Sequence, residues 1–417
     1  MKRNSKFLSA VSAYTFSNIL VLSIPLLLLP IMTNYLSPEQ YGQVALFLIL
    51  IQIYGVFGRS FVNFTQRKYF DSDLKRQELS GYLSSTLFLI LFVSSLLLIF
   101  TLLFKDNISI IFSMPILFII FALFASVLNL FIEIRLIQWQ IRKKASTYAV
   151  FQVFKAITVG LLAVIFVVFL EYGFEGRAYS IIYTNLLFFV ISVYLLFKDK
   201  LISSASDLKK YKEIITYSIP LIPHFLSGLL ISSLDRAIIN NFIGIAETGI
   251  FVVALQTSLL VNVALESVNK AAIPYIYENL NKEEHKSKGS VIKNVALYGL
   301  CILLFSTCYW FIIKSIFPFI VGESFQSAKN LIVWIIIGFS FKGFAGLFIN
   351  IFFYKKKTSY LSIVTLFLSI FHVVIFAYFT YFYGILGSSI AFAGSMFIRW
   401  VIISILSLRL LGYEQIK

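Results

Sequence analysis

The chain is 417 residues long; 59% of its residues are hydrophobic and only 13% are charged. Its mean hydropathy is +0.90 and its formal net charge is +16. Soluble domains are roughly half apolar and a quarter charged, so this composition excludes a soluble enzyme and indicates an integral membrane protein. The positive charge predicts no nucleic-acid partner, because no soluble domain is large enough to present a basic cluster.

Apolar segments of roughly 20 residues, the length that crosses a bilayer as a helix, recur about twelve times along the chain. We therefore predict an all-α integral membrane protein with about 12 transmembrane helices. The predicted spans, in chain order, are 10–31, 42–62, 81–104, 109–132, 147–170, 178–197, 214–236, 248–269, 291–313, 329–353, 359–381 and 387–408.

Lys and Arg are concentrated in every second loop, beginning with the N-terminal segment that carries Lys2, Arg3 and Lys6. Short loops rich in Lys and Arg stay in the cytoplasm. We therefore predict a multi-pass protein with both termini in the cytoplasm. The same basic loops would attract the anionic headgroups of membrane lipids.

The two halves of the chain resemble each other. The turn at 34–42 aligns with 241–249 at an offset of 207 residues, and the basic loop at 143–148 aligns with 355–360 at an offset of 212. Two copies of six spans have the same orientation and are related by a pseudo-two-fold axis along the membrane normal. Because membrane turns in general favour Gly, Asn and Pro, the likeness has an alternative explanation. The predicted parts are an N-terminal six-helix bundle at 1–200, a cytoplasmic linker at 201–212 and a C-terminal six-helix bundle at 213–417.

The first and seventh predicted spans each contain two prolines. A proline inside a helix removes a backbone donor and bends the helix near it. Each pair forms either a fixed kink or a hinge that moves as a cavity opens to one side or the other. The hinge candidates are Pro25, Pro30, Pro220 and Pro223.

Several charged side chains fall inside predicted spans, where an ionisable group at the helix centre costs about 2.5–3.5 kcal/mol by insertion scales. Most of these charged residues are basic. This predicts a water-filled cationic cavity that holds an anionic group such as phosphate. The alternatives are that the long side chains reach the cytoplasmic surface or pair with a neighbour. The candidate cavity residues are Arg59, Lys155, Asp235, Arg236, Lys342 and Arg399.

Arg59 and Glu266 occupy equivalent positions in the second and eighth spans, because they are separated by the repeat offset of 207 residues. Both lie near the cytoplasmic end of their spans. Opposite charges related by a pseudo-two-fold axis predict a cytoplasmic gate that an ion pair closes.

A loose motif begins at the end of the seventh span: Asp235, an aliphatic stretch to Gly244, and then Glu247, Gly249 and Phe251. With the twelve spans, the mid-chain linker and the duplicated basic loops, it resembles polysaccharide-biosynthesis flippases of the O-antigen (Wzx) type. The resemblance covers essentially the whole chain and implies the multidrug/oligosaccharidyl-lipid/polysaccharide exporter superfamily. The two additional helices of the lipid II flippase branch have no counterpart here, which argues against a peptidoglycan precursor as cargo.

The resemblance implies a transporter rather than an enzyme, located in the bacterial inner membrane. Its implied cargo is an undecaprenyl-diphosphate-linked oligosaccharide, an O-antigen or capsule repeat unit, which moves from the cytoplasmic to the outer leaflet by alternating access through a cationic central cavity. The implied partners are this polyprenyl-diphosphate-linked oligosaccharide, membrane lipids, an O-antigen polymerase and an initiating transferase.

The sequence predicts no catalytic residue, no metal and no cofactor, and it leaves proton or sodium coupling open. Two alternatives stay open. A cation-coupled multidrug exporter of the same superfamily would favour acidic residues in the cavity. An O-antigen polymerase would need a large outside loop or an acidic catalytic constellation.

Overall fold

The computed structural model describes residues 17, 20, 21, 23–69, 76–202, 207–281 and 284–411. These residues form helices joined by short turns, and no β-strand occurs among them, which confirms the predicted all-α class. The helices, in chain order, are α1 (Ser23–Tyr35), α2 (Pro38–Tyr69), α3 (Arg76–Leu103), α4 (Lys105–Phe112), α5 (Ile116–Ile141), α6 (Ala145–Val164), α7 (Gly173–Lys198), α8 (Leu208–Ser218), α9 (Ile222–Ser232), α10 (Leu234–Phe242), α11 (Ile245–Asn281), α12 (Glu284–Ile320), α13 (Lys329–Tyr354) and α14 (Thr358–Leu410).

Ten helical segments in the described part of the chain are long and apolar enough to cross a membrane. The last segment, α14, covers both final predicted spans and is interrupted at Gly384, whose φ of 63° and ψ of −155° require a glycine. The shorter apolar helix α1 covers the end of the first predicted span, whose beginning lies outside the described residues. The prediction of about twelve membrane-crossing segments is therefore confirmed.

By internal packing the chain divides into unit 1 (Met1–Leu229) and unit 2 (Leu230–Lys417). The division lies C-terminal to the predicted linker at 201–212, because α8 packs against α2 and α3 of unit 1. On α8, Glu213 accepts a hydrogen bond from Tyr82 at 2.5 Å and pairs with Lys68 at 2.6 Å. The first part of the seventh predicted span therefore packs within the N-terminal unit.

In unit 1, α2, α5 and α7 pack around an apolar core. The Phe174 ring lies 6.3 Å from that of Phe47 and 4.9 Å from that of Phe118, measured between centroids. Gly58 of α2 lies directly against Leu130 of α5, so any larger residue there would collide with the leucine. Small residues let membrane helices approach closely, and this contact fixes the polar side chains of α2 against those of α5.

In unit 2, α11, α13 and α14 form the corresponding core. Phe339 of α13 and Phe392 of α14 contact edge to face at 5.4 Å. A Cβ added to Gly343 of α13 would lie 2.9 Å from Leu265 Cδ1 of α11, so these two helices also approach closely at a glycine. The contact brings the polar faces of α11 and α13 together.

The seventh predicted span is not one continuous helix. A 3₁₀ turn at Ile219–Leu221 contains Pro220, and Pro223 is the second residue of α9, where the missing N–H is best tolerated. A break at Ser233, with φ −142° and ψ −24°, then separates α9 from the short helix α10. Asp235 and Arg236 therefore lie on α10. The two earlier prolines, Pro25 and Pro30, lie within α1, and a hinge role for all four prolines stays a prediction.

Candidate functional site

Lys155 belongs to a small polar cluster in unit 1. Its Nζ donates a hydrogen bond to Asn129 Oδ1 at 2.7 Å, and Asn129 Nδ2 donates to Glu133 Oε1 at 2.9 Å. Arg59 of α2 approaches the same Glu133 oxygen at 3.5 Å. We call Arg59, Asn129, Glu133 and Lys155 the Lys155 cluster; it joins three helices.

The Lys155 cluster follows from helical spacing. Asn129 and Glu133 are four residues apart on α5 and therefore share one face of that helix. Lys155 follows the first residue of α6 by ten positions, which at 1.5 Å per residue is about 15 Å of helix. That is about half of a hydrocarbon core of roughly 30 Å. The cluster thus lies well inside the apolar length of α6 and away from its end.

Lys342 forms a second cluster, in unit 2. Its Nζ donates to Asn262 Oδ1 at 2.9 Å, and Asn262 Nδ2 donates to Glu266 Oε1 at 3.0 Å. Arg399 of α14 is close enough to act on the Lys342 ammonium as a repelling charge, and Glu266 acts on it as an attracting one. We call Asn262, Glu266, Lys342 and Arg399 the Lys342 cluster.

The two clusters contain the same functional groups. Each has a lysine ammonium, an arginine guanidinium, one carboxylate and one amide that bridges the lysine to the carboxylate. The side chains are partly exposed: 41% of Arg59 and 27% of Glu133 remain accessible. Two cations beside one carboxylate leave a net positive charge. Charges inside an apolar span require water or a partner, and each cluster has only one carboxylate for two cations.

Asp235, a predicted cavity residue, lies buried in a separate network of unit 2. Its Oδ1 lies 2.9 Å from His372 Nε2, and His372 Nδ1 lies 2.7 Å from Ser395 Oγ. All three side chains are almost inaccessible. Ser395 is one helical turn from Arg399 on α14, so the network supports the helix that carries this cation. Arg236 is half-buried beside Asp235.

The remaining motif positions shape the turn between α10 and α11. Gly244 has φ +145°, and a Cβ there would lie 3.1 Å from Glu247 Oε2. Glu247 lies in the first turn of α11, where a carboxylate interacts favourably with the helix dipole. Gly249 is buried on the same helix. These positions are therefore structural in unit 2 and belong to neither lysine cluster.

Arg59 and Glu266, the predicted gate pair, each have a partner within their own unit. Arg59 approaches Glu133, and Glu266 accepts the hydrogen bond from Asn262. The pairing of Arg59 with Glu266 stays a prediction.

Asn129, Glu133 and Asn262 were not among the site residues predicted from the sequence. A signal for them exists, because the pattern Asn-x-x-x-Glu occurs once at the end of the fourth predicted span and once within the eighth. Four-residue spacing places an amide and a carboxylate on one helix face. The pattern is short and becomes informative only when the lysine on a neighbouring helix is known.

A buried arginine was also missed. Arg135 of α5 donates to Asp199 Oδ2 at 2.8 Å, and its guanidinium lies 4.6 Å from the Trp139 ring centroid. Partial burial raises the pKa of Asp199, but the hydrogen bond and charge of Arg135 outweigh it, so the pKa lies below its ordinary value. This pair holds the end of α7 against α5 in unit 1.

Comparisons with known proteins identify the family. A family described as "Polysaccharide biosynthesis protein" matches residues 7–280. The "Lsg locus putative protein 1" of Haemophilus influenzae is 27% identical over 360 residues, covering 81% of this chain and 82% of that protein. An "Uncharacterized membrane protein" of the same organism is 23% identical over 357 residues and covers 84% and 85%.

Solved structures share the fold. The lipid II flippase MurJ in an inward closed conformation superposes with a TM-score of 0.74 at 16% identity, covering 97% of this chain and 92% of that one. An inward-facing multidrug resistance MATE transporter of the MOP superfamily gives 0.66 at 16% identity, covering 98% and 99%. The chain is thus a multi-pass, all-helical membrane protein with a MATE- and MurJ-like fold, and it belongs to the polysaccharide biosynthesis protein family.

Proposed function

We propose that this protein is a flippase that carries a lipid-linked oligosaccharide across the membrane by alternating access. The observation that carries the proposal is the surplus of cations inside the apolar spans, since each cluster has a lysine and an arginine but only one carboxylate. A diphosphate head group needs such partners, because it loses its hydration when it leaves the headgroup layer. The family and the MurJ-like fold support the same class of cargo.

The chemistry of transfer divides between the cargo's two ends. The polyprenyl tail stays in the hydrocarbon, where it is already soluble, so only the diphosphate and sugars need a polar path. Lysine supplies a compact charge and arginine supplies a planar fork that binds phosphate oxygens in pairs. We propose that Lys155 and Lys342, with Arg59, Arg236 and Arg399, provide these contacts.

The proposed cargo is an undecaprenyl-diphosphate-linked O-antigen or capsule repeat unit that moves from the cytoplasmic to the outer leaflet of the inner membrane. This places the protein beside an initiating transferase, which makes the lipid-linked unit, and a polymerase, which consumes it. Alternating access requires hinges, for which the four prolines of the first and seventh predicted spans are the candidates.

A cation-coupled multidrug exporter is the second candidate, because the MATE transporter shares the fold. A site for cationic drugs needs a surplus of carboxylates, whereas Glu133 and Glu266 are each outnumbered by cations in their clusters. The buried carboxylate of Asp235 is already bonded to His372. We therefore favour an anionic cargo.

The test is complementation of an O-antigen flippase deletion, with the lipid-linked oligosaccharide followed by leaflet. Wild type should restore transfer to the outer leaflet, whereas Lys342→Ala and Arg399→Ala should not, at equal membrane abundance. If wild type does not restore transfer and instead raises drug resistance, the multidrug exporter would be the better assignment.

The gate proposal has its own test. An ion pair between Arg59 and Glu266 would weaken in Arg59→Gln and in Glu266→Gln, so each variant should change the transfer rate. If both variants transfer cargo at the wild-type rate, the gate is wrong while the flippase proposal stands.

A further inference from the structure

Both lysine ammonium groups are held by an amide rather than by a carboxylate. Asn129 stands between Lys155 and Glu133, and its Oδ1 and Nδ2 bond to opposite charges. Asn262 does the same between Lys342 and Glu266. Within the described part of the chain, neither lysine forms a direct ion pair with the carboxylate of its own cluster.

The carboxylate determines how each amide is oriented. An ionised carboxylate only accepts hydrogen bonds, so it takes the NH₂ end of the asparagine and leaves the oxygen end facing the ammonium. The assignment of oxygen and nitrogen therefore follows from the hydrogen-bond network. In each cluster the glutamate, four residues along the same helix, fixes the amide that in turn holds the lysine.

An amide holds an ammonium less tightly than a carboxylate does. The amide is neutral, whereas a bond between two ionised groups is shorter and stronger. An ammonium has three N–H donors, of which the asparagine oxygen takes one. Lys155 and Lys342 are thus oriented, yet each can exchange its bond for one to a stronger acceptor.

We propose that Asn129 and Asn262 are positioning residues, each of which orients a lysine ammonium for a diphosphate and prevents that lysine from closing an ion pair with the neighbouring glutamate. This inference rests on the proposed flippase function. When the head group binds, the lysine ammonium exchanges its hydrogen bond to the asparagine oxygen for one to a phosphate oxygen. The asparagine stays hydrogen-bonded to its glutamate. When the head group leaves, the amide takes the ammonium back.

The same pattern in both units makes a coincidental contact a poor explanation. The four hydrogen bonds are 2.7–3.0 Å long, and each asparagine is four residues before its glutamate. The lysine comes from another helix each time, α6 in unit 1 and α13 in unit 2. If Asn129 and Asn262 served only to fill space between helices, neither would need to lie between a lysine and a glutamate.

The experiment measures binding of farnesyl diphosphate to the full-length protein in detergent, with farnesol as the neutral control. Asn129→Asp and Asn262→Asp each place a carboxylate directly against the lysine and against the glutamate. Each should weaken farnesyl diphosphate binding about tenfold or more, the effect of losing one charge-assisted hydrogen bond. Farnesol binding should not change.

The chain offers matched controls. Asn34 and Asn241 are exposed, occupy equivalent positions at the repeat offset, and donate to backbone carbonyls four residues earlier, at 2.7 and 2.8 Å. Asn34→Asp and Asn241→Asp make the same chemical change outside the clusters. They should bind farnesyl diphosphate as the wild type does.

The outcomes separate this inference from the proposed function. If wild type prefers farnesyl diphosphate to farnesol and the variants at 129 and 262 bind it equally well, the positioning role is overturned while the flippase stands. If wild type binds farnesyl diphosphate no better than farnesol, both the positioning role and the proposed flippase function are overturned.

Glu133→Gln and Glu266→Gln provide a second measurement should an aspartate variant fail to fold. Glutamine still accepts the asparagine N–H but carries no charge that competes with the diphosphate, so affinity should hold or rise. A tenfold loss of affinity in these variants would contradict the proposal. If Asn129 and Asn262 had a merely structural role, their aspartate variants would instead melt at a lower temperature and bind farnesyl diphosphate with unchanged affinity.

Discussion

The Lys155 cluster and the Lys342 cluster reach the same chemistry from different helix positions. Asn129 is the fourteenth residue of the 26-residue helix α5, and Lys342 is the fourteenth residue of the 26-residue helix α13. The same helix position therefore carries the amide of Asn129 in unit 1 and the ammonium of Lys342 in unit 2. Arg59 and Glu266 also occupy equivalent positions, at the repeat offset of 207 residues, but carry opposite charges.

This difference shows what a duplicated membrane fold retains. The close helix pairs are retained: Gly58 packs against Leu130 in unit 1, and Gly343 packs against Leu265 in unit 2. The signs of the charges on those helices are not retained. A residue-by-residue alignment of the two halves would therefore not reveal that both contain a lysine, an amide and a carboxylate in series.

Removal of either lysine should have the largest effect on transport. Lys155→Met and Lys342→Met each remove one of the two cations of a cluster and, with it, a proposed phosphate contact. Each should reduce transfer of lipid-linked oligosaccharide about 100-fold, because loss of one member of a desolvated charge pair costs about 2–5 kcal/mol. The double variant should be little worse than either single variant if cargo uses both clusters.

The control is Lys314→Met. The Lys314 ammonium lies 4.9 Å from the Trp310 ring centroid, in another part of unit 2, and belongs to neither cluster. Its replacement should leave transfer unchanged. Normal transfer in Lys155→Met beside full loss in Lys342→Met would show that the two clusters are not functionally equivalent.

The next effect concerns the network that supports unit 2. His372→Leu leaves the Asp235 carboxylate buried without its hydrogen-bond donor, at a cost of about 2–3 kcal/mol. The thermal midpoint of the purified protein should fall, and transfer should fall with it because Ser395 and Arg399 share one face of α14. The charge-neutral variant Asp235→Asn should lose less stability than His372→Leu. The reverse order would contradict this account of the network.

The close glycine contacts should be equally sensitive in the two units. Gly58→Val and Gly343→Val each force extra atoms between packed helices, and overpacking typically costs about 1–3 kcal/mol. Thermal unfolding in detergent should show similar losses for both. A loss in one unit alone would mean that only one of the two helix pairs depends on its glycine for close packing.

The smallest effect is expected at the Arg135–Asp199 pair. The pKa of Asp199 is lower in the folded protein than its ordinary value of 3.8, so the pair's contribution is present above that value and is lost as pH falls through the folded pKa. About a third of the Asp199 side chain is exposed, so the contribution should stay below about 1 kcal/mol. Asp199→Asn should remove this loss from a series of melting curves taken from pH 6 to pH 3.

Much of the fold could be predicted from the sequence, because the length and spacing of apolar segments determine which helices cross a membrane. The break between α9 and α10 could not, since nothing in the residues around Ser233 distinguishes a helix break from a kinked span. Lys155, Lys342 and Arg399 were predicted site residues because a charge in an apolar span is conspicuous. Their partners were not, since pairing depends on which helices become neighbours.

Asp235 illustrates the same difference. Its position in a span predicted a cavity residue, whereas the structure buries it against His372, which lies 137 residues later in the chain. No local pattern relates these two positions. The close packing of α10 on α14 brings them together.

The most direct test is transfer by the purified protein in liposomes, comparing a polyprenyl-diphosphate-linked sugar with the same sugar on a neutral polyprenyl lipid. We expect wild type to move the diphosphate lipid between leaflets and to move the neutral lipid no faster than empty liposomes do. The Lys155→Met, Lys342→Met double variant should not transfer the diphosphate lipid. Equal transfer of both lipids, or full transfer by the folded double variant, would contradict this expectation.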